Sequence, residues 1–244
     1  MDKKTTAFVL RASDYKENDK LLTLLCAEYG KITASLRGAK KPNAKLKFAS
    51  QPFSLIEFVL SERGGYHTVT QAQAADMFYP LRADVNKFYA ASAMAQLVLS
   101  SVQEGSAEPL LFSLVGEAFK NLCYEKTDAR LLLIRFLMDA LQILGVGAGF
   151  SFCATCNEEV VGATFFSFDS GAVFCEKCAP KAAVLLKTEV SDLLCAVQTA
   201  NVSDLIGKKA DKEAERGALR LLGEYAEKHL DIHLTALYQY LELA

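Results

Sequence analysis

The chain has 244 residues, 51% of them hydrophobic and 23% charged, a composition that excludes a disordered or collagen-like polymer and suffices to bury the cores of one to three small domains. Its formal charge of −2 hides an asymmetry: residues 1–80 hold 12 Lys and Arg against 8 Asp and Glu, and the rest of the chain holds 15 against 21. A basic first domain on an acidic body implies different partners for the two ends.

Asp2, Lys3 and Lys4 lead directly into an apolar alternation with no leader pattern, so a cytoplasmic protein without membrane contact is expected. Short apolar runs between turn signals then predict five strands. The first covers 5–12; 21–27 and 31–37 form a hairpin around Glu28-Tyr29-Gly30, and 53–61 and 66–73 a second around Arg63-Gly64-Gly65. Five short strands in about seventy residues suit a small barrel, of which the OB-fold is the nucleic-acid-binding version.

Past Pro80 the spacing becomes helical over 85–103, 110–125 and 129–144, with Thr127-Asp128 as N-cap of the third. The apolar stretch 131–149 carries Arg135, Asp139 and Gln142, which a bilayer core penalises, so it reads as a buried helix. After a cysteine-bearing insert, helices are predicted over 181–198, 211–229 and 233–243. The expected class is α+β. An N-terminal five-stranded OB-fold β-barrel (1–80) precedes an α-helical domain (81–149 and 181–244), into which a four-cysteine zinc ribbon (150–180) is inserted.

Four of the seven cysteines fall as Cys153-x2-Cys156 and Cys175-x2-Cys178. Each pair can turn two thiolates toward one ion, and four thiolates complete the tetrahedral shell that Zn²⁺ accepts. The stretches 164–168 and 172–174 flank Asp169-Ser170-Gly171 as a hairpin that carries the second pair. Disulfides would need an oxidising compartment, and a thioredoxin-type site would need one pair beside a βαβ unit. One structural Zn²⁺ is therefore expected, with no open position for substrate and with little core in the insert apart from the metal. Cys26, Cys123 and Cys195 lie in apolar runs and read as small core residues.

From 29 to 56 there are six basic residues and no acidic one. Lys31, Arg37, Lys40, Lys41, Lys45 and Lys47 span a strand and the loop after it, a placement that suits phosphate contacts along a groove; a solvated loop is the alternative. Tyr15, Tyr29, Phe48 and Phe53 can stack on bases or fill the core. Gly30-Lys31-Ile32 and Gly207-Lys208-Lys209 lack the phosphate-loop spacing, no glutamate follows His229 as a metalloprotease helix needs, His67 reads as structural, and no Lys-x-Asp-Gly nucleotide-attachment motif is present. The chain is therefore expected not to be an enzyme. The competing classes are a zinc-ribbon adaptor between proteins and a nucleic-acid enzyme with an unrecognised site.

Several local sequences carry a resemblance. Tyr15-Lys16-Glu17-Asn18-Asp19-Lys20, Tyr29-Gly30-Lys31-Ile32, Arg37-Gly38-Ala39-Lys40-Lys41 and the step Gln51-Pro52-Phe53, with the helical body and the four-cysteine insert, resemble the RecO family of bacterial recombination mediators. The likeness is strongest over 5–60 and 150–180. It implies a protein that binds single- and double-stranded DNA, anneals complementary strands and, with RecR, helps load RecA onto strands coated with single-stranded DNA-binding protein. It also implies a groove on the helical domain for the acidic, hydrophobic-ended tail of that coating protein. Arg130 and Arg135 lie in the corresponding region, where a salt-bridged helix face is an equal alternative.

Overall fold

The computed structural model describes residues 2–243. Its residues group into two compact units: the first runs to Cys123 except for Ser92–Met94, which group with the second, from Tyr124 onward.

In the first unit, period-two alternation sets the strands. Strands β1 (Asp2–Tyr15), β2 (Asp19–Cys26), β3 (Gly30–Leu36), β4 (Leu55–Arg63) and β5 (Tyr66–Asp76) form a closed barrel in the order β1-β2-β3-β5-β4. Along β3, Ile32, Ala34 and Leu36 point inward and Lys31, Thr33 and Ser35 outward, as the pleat requires. Strand β1 is long enough to pair with β4 through its first half and with β2 through its second, and a register shift between Val9 and Arg11 bends it around the barrel. A short parallel pairing of Ala34 with His67 and Ser35 with Thr68 closes the circle. Val9, Leu22, Leu24, Ile32, Ile56, Phe58 and Leu60 fill the interior.

Helices α1 (Pro80–Ala83), α2 (Val85–Ser101) and α3 (Pro109–Tyr124) follow. Most of α2 and α3 groups with the barrel, so the helices past Pro80 do not all share one compact unit. An aromatic cluster makes the join: Phe8 of β1 lies 5.0 Å from Phe112 and 5.7 Å from Phe119, and Phe53 also meets Phe119 at 5.7 Å, centroid to centroid. Gly30, at φ +64°, sits in the β2–β3 turn against the backbone of Ser106, whose oxygen would lie 1.6 Å from any added Cβ. No side chain fits there.

In the second unit, α4 (Ala129–Ile143) starts at Asp128, whose side chain accepts the Arg130 N–H at 2.9 Å. Strands β6 (Thr164–Ser167), β7 (Ala172–Cys175) and β8 (Val184–Leu186) form a small sheet in the order β7-β6-β8, followed by α5 (Thr188–Thr199), α6 (Lys212–Leu230) and α7 (Thr235–Glu242). The helix predicted over 181–198 thus begins only at Thr188. Val184, Leu185 and Leu186 pair instead with Phe166, Phe165 and Thr164, a tertiary pairing that overrides the helical spacing of their side chains. Cys26 and Cys123 are buried and Cys195 is partly so. No helix among the described residues is long and apolar enough to cross a membrane.

Candidate nucleic-acid interface and metal centre

The outward face of β2 and β3 is the floor of an open groove of about 610 Å³. Leu21, Thr33 and Ser35 line the floor, Tyr15 and Lys16 one flank, and Gly65 and Tyr66 the other, with Arg37 and Glu104 also on its walls. The flanks are the β1–β2 and β4–β5 turns, the two loops with which OB-folds enclose oligonucleotides. Tyr66 is 81% exposed and Tyr15 42%, although a tyrosine ring loses free energy by standing in water unless something covers it. Lys16 Nζ lies 5.2 Å from the Tyr15 ring centroid, so cation and ring share one flank.

The loop from β3 to β4 stands beside this groove. Gly38 N donates to Asp19 Oδ1 at 2.8 Å, Lys40 N donates to Asn18 O at 3.0 Å, and Lys40 Nζ is 2.8 Å from Asp14 Oδ2. These bonds tie the basic loop to the β1–β2 turn. The Lys40 ammonium holds the Asp14 carboxyl below its ordinary range, chiefly through the hydrogen bond. Arg37, Lys41, Lys45 and Lys47 are exposed and, among the described residues, without an ion-pair partner. Lys31 differs. Its Nζ donates to Leu99 O at 2.7 Å, in the last turn of α2, where a cation satisfies an otherwise free carbonyl and the negative helix end.

In the second unit, the ligand atoms of Cys153, Cys156, Cys175 and Cys178 all lie within 4.8 Å of one another. Cys156 Sγ and Cys175 Sγ are 3.9 Å apart, close to the roughly 3.8 Å edge of a tetrahedron of thiolates at about 2.3 Å from one ion. The turns that deliver them close through Asn157 N to Cys153 O at 2.9 Å and Cys178 N to Cys175 O at 3.1 Å. Backbone N–H groups of Cys156 and then Cys175 lower the Cys153 thiol, while the Cys175 side chain and then burial push the Cys178 thiol up, as thiols crowded at one point must do when they share their protons. The four cysteines can hold a metal ion.

The insert is better packed than its sequence implied. Phe150 stacks on Phe166 at 5.5 Å, Phe166 meets Tyr225 of α6 edge-on at 5.7 Å, and Tyr225 lies 4.4 Å from His229, whose Nε2 is 2.6 Å from Phe168 O. Asp169 pairs with Lys228. The β6–β7 turn fits there only with Gly171, where a Cβ would meet the Tyr225 hydroxyl at 2.2 Å.

Comparison with known proteins agrees with this architecture. The family described as Recombination protein O N terminal matches residues 1–78, and Recombination protein O C terminal matches residues 82–237. The chain belongs to the RecO family. Among its relatives, the DNA repair protein RecO of Alkaliphilus metalliredigens is 27% identical over 230 residues, covering 93% of this chain and 94% of that one. The protein of the same name from Bacillus subtilis is 29% identical over 235 residues, or 96% and 91% of the two chains. That of Desulfitobacterium hafniense reaches 34% over 174 residues, 70% of this chain and 63% of the relative.

In this RecO-family chain the arginines expected near a partner groove are engaged internally. Arg130 is buried, with Nη1 3.9 Å from Glu215 Oε2 and its guanidinium carbon 5.5 Å from the Tyr240 ring centroid. Arg135 Nε donates to Asp139 Oδ2 at 2.7 Å, and its Nη1 reaches Ala200 O. Residues that the sequence did not single out line the two open sites instead. Tyr66 and Lys16 flank the barrel groove; Tyr66 has no sequence signal beyond its place beside a turn, and Lys16 none beyond its place in the Tyr15–Lys20 segment. In the second unit a groove of about 300 Å³ has Leu186, Val190, Leu221 and Leu241 in its lining, with Lys187, Arg216, Arg220 and Glu213 beside them, Arg216 Nη1 lying 3.9 Å from Glu213 Oε1. Its cations come from α6 and the approach to α5, a grouping that linear order hides.

Proposed function

We propose that this chain is a non-enzymatic DNA repair and recombination mediator that binds single- and double-stranded DNA and anneals complementary strands. With RecR it helps load RecA onto strands coated with single-stranded DNA-binding protein, working in the cytoplasm at the nucleoid. RecR, RecA and the coating protein come from the family likeness; the DNA reading also has support from geometry. Its principal observation is the groove across β2 and β3, with exposed Tyr15 and Tyr66 on its flanks and the Arg37–Lys47 loop tied alongside. A single strand laid there stacks bases on the two rings and sets phosphates against Arg37, Lys40, Lys41, Lys45 and Lys47. Neutralising one strand lowers its repulsion from a complementary one, and that step needs no bond chemistry or nucleotide.

The four cysteines are assigned one Zn²⁺. Four thiolates fill its tetrahedral shell, so the ion braces the two turns and has no place for substrate. Arg130 and Arg135 are assigned structural roles. The acidic, apolar-ended tail of the coating protein is assigned to the groove with Leu186, Val190, Leu221 and Leu241, on the complementarity of its apolar lining and of Lys187 and Arg220, which stand beside the Arg216–Glu213 pair and leave the lining net positive.

Fluorescence anisotropy on a labelled single strand tests the DNA reading. Tyr66→Ala should weaken binding about fivefold or more, the worth of one stacked base, and a triple change of Arg37, Lys40 and Lys41 to Glu should weaken it further, with zinc content intact. Unchanged affinity in both variants would place DNA binding elsewhere on the chain.

A further inference from the structure

The charged side chains lining the barrel groove cancel: Lys16 and Arg37 stand against Asp19 and Glu104. Asp19 has a structural duty, because its carboxylate accepts the Gly38 N–H. Glu104 has none. It is exposed and, among the described residues, its carboxylate has neither ion-pair nor hydrogen-bond partner. Its backbone is nevertheless held firmly. Glu104 bridges to Lys31 beside β3, Gly105 N donates to Lys31 O at 2.9 Å, and the neighbouring Ser106 carbonyl packs against side-chain-free Gly30. The connection between α2 and α3 thus fixes a carboxylate at the Lys31 end of a groove whose neighbouring loop is wholly basic.

We infer that Glu104 is a selectivity residue that keeps the phosphate backbone off the floor of this groove, so that a single strand enters with its bases toward β2 and β3. The inference rests on the proposed reading of the groove as a nucleic-acid interface. A carboxylate and a phosphate at contact distance repel by an amount equivalent to about fivefold in affinity in water. A base carries no net charge, and its N–H groups can donate to the carboxylate. The phosphates turn toward Arg37 and the lysine loop while Tyr15 and Tyr66 cover the base faces. A duplex, whose bases are stacked inside, is left to the loop alone.

The test uses anisotropy at about 0.1 M salt, where charges interact over roughly 10 Å, with two labelled strands of equal phosphate number: an oligothymidylate and a fully abasic strand. The wild-type chain should prefer the oligothymidylate. Glu104→Gln, which keeps the shape and removes the charge, should raise affinity for the abasic strand about fivefold and for the oligothymidylate by less than twofold; Glu104→Asp should retain the preference. No wild-type preference, an unchanged preference in Glu104→Gln, or an equal gain for both strands would overturn the assignment. If Arg37→Glu and Tyr66→Ala leave both probes unaffected, the groove reading itself fails, and the role of Glu104 with it.

Discussion

The Nζ of Lys31 lies 2.7 Å from the carbonyl oxygen of Leu99, so a lysine within the most basic stretch of the chain closes the end of α2. A charged hydrogen bond at a helix C-terminus is worth about 1–2 kcal/mol. Lys31→Ala should lower the stability of the first unit by that amount in urea unfolding, while the salt dependence of DNA binding stays as in wild type.

Five cations remain for phosphates, and Lys40 already shares Asp14. At about −0.7 per neutralised charge on a single strand, four to five contacts give a log–log salt slope between about −2.8 and −3.5. Titrations between 50 and 200 mM salt measure it. Lys41→Ala should reduce the slope by about 0.7 and weaken all sequences alike, since phosphate contacts carry no base readout.

The purified chain should contain about one zinc per molecule, and Cys175→Ser should lose it. The aromatic packing of Phe150, Phe166 and Tyr225 is made by side chains other than the four cysteines. Hydrogen exchange after metal removal should therefore rise in the turns around Cys153–Cys156 and Cys175–Cys178 and stay slow in β6. Collapse of protection throughout β6 would show that the metal alone organises the insert.

Burial, and next the nearby Asp128 carboxylate, push Glu215 up to about 7 despite the Arg130 guanidinium. Its folded value exceeds its unfolded one. The associated stability is therefore fully present below about pH 4.5 and is lost as pH rises through about 7. Wild type should lose about 1–3 kcal/mol relative to Glu215→Gln between pH 5 and pH 8.5, followed by urea unfolding at each pH. Parallel pH profiles for the two proteins would contradict this.

The barrel and the metal centre were legible in the sequence because each rests on local pattern: alternation for β3, turn residues for the hairpins, and two Cys-x-x-Cys pairs. Strand β8 was not, since Val184–Leu186 become a strand only by pairing with β6. The duties of Lys31 and Arg130 were equally hidden. Their partners Leu99 and Glu215 lie far along the chain, and a free cation and a paired one look the same in one dimension, whereas the Arg135–Asp139 pair, one helical turn apart, is the salt-bridged face the sequence offered as an alternative. Tyr66 escaped notice because exposure, on which its proposed stacking role rests, is a property of the folded surface.

Annealing of bare complementary strands without nucleotide tests the central claim most directly. Strand pairing should be followed by energy transfer between labelled oligonucleotides, with wild type and with the triple Arg37→Glu, Lys40→Glu, Lys41→Glu variant at matched zinc content. Acceleration by wild type in the absence of ATP, lost in the triple variant, is the predicted result. Equal acceleration by both proteins, or a strict requirement for ATP, would contradict the account.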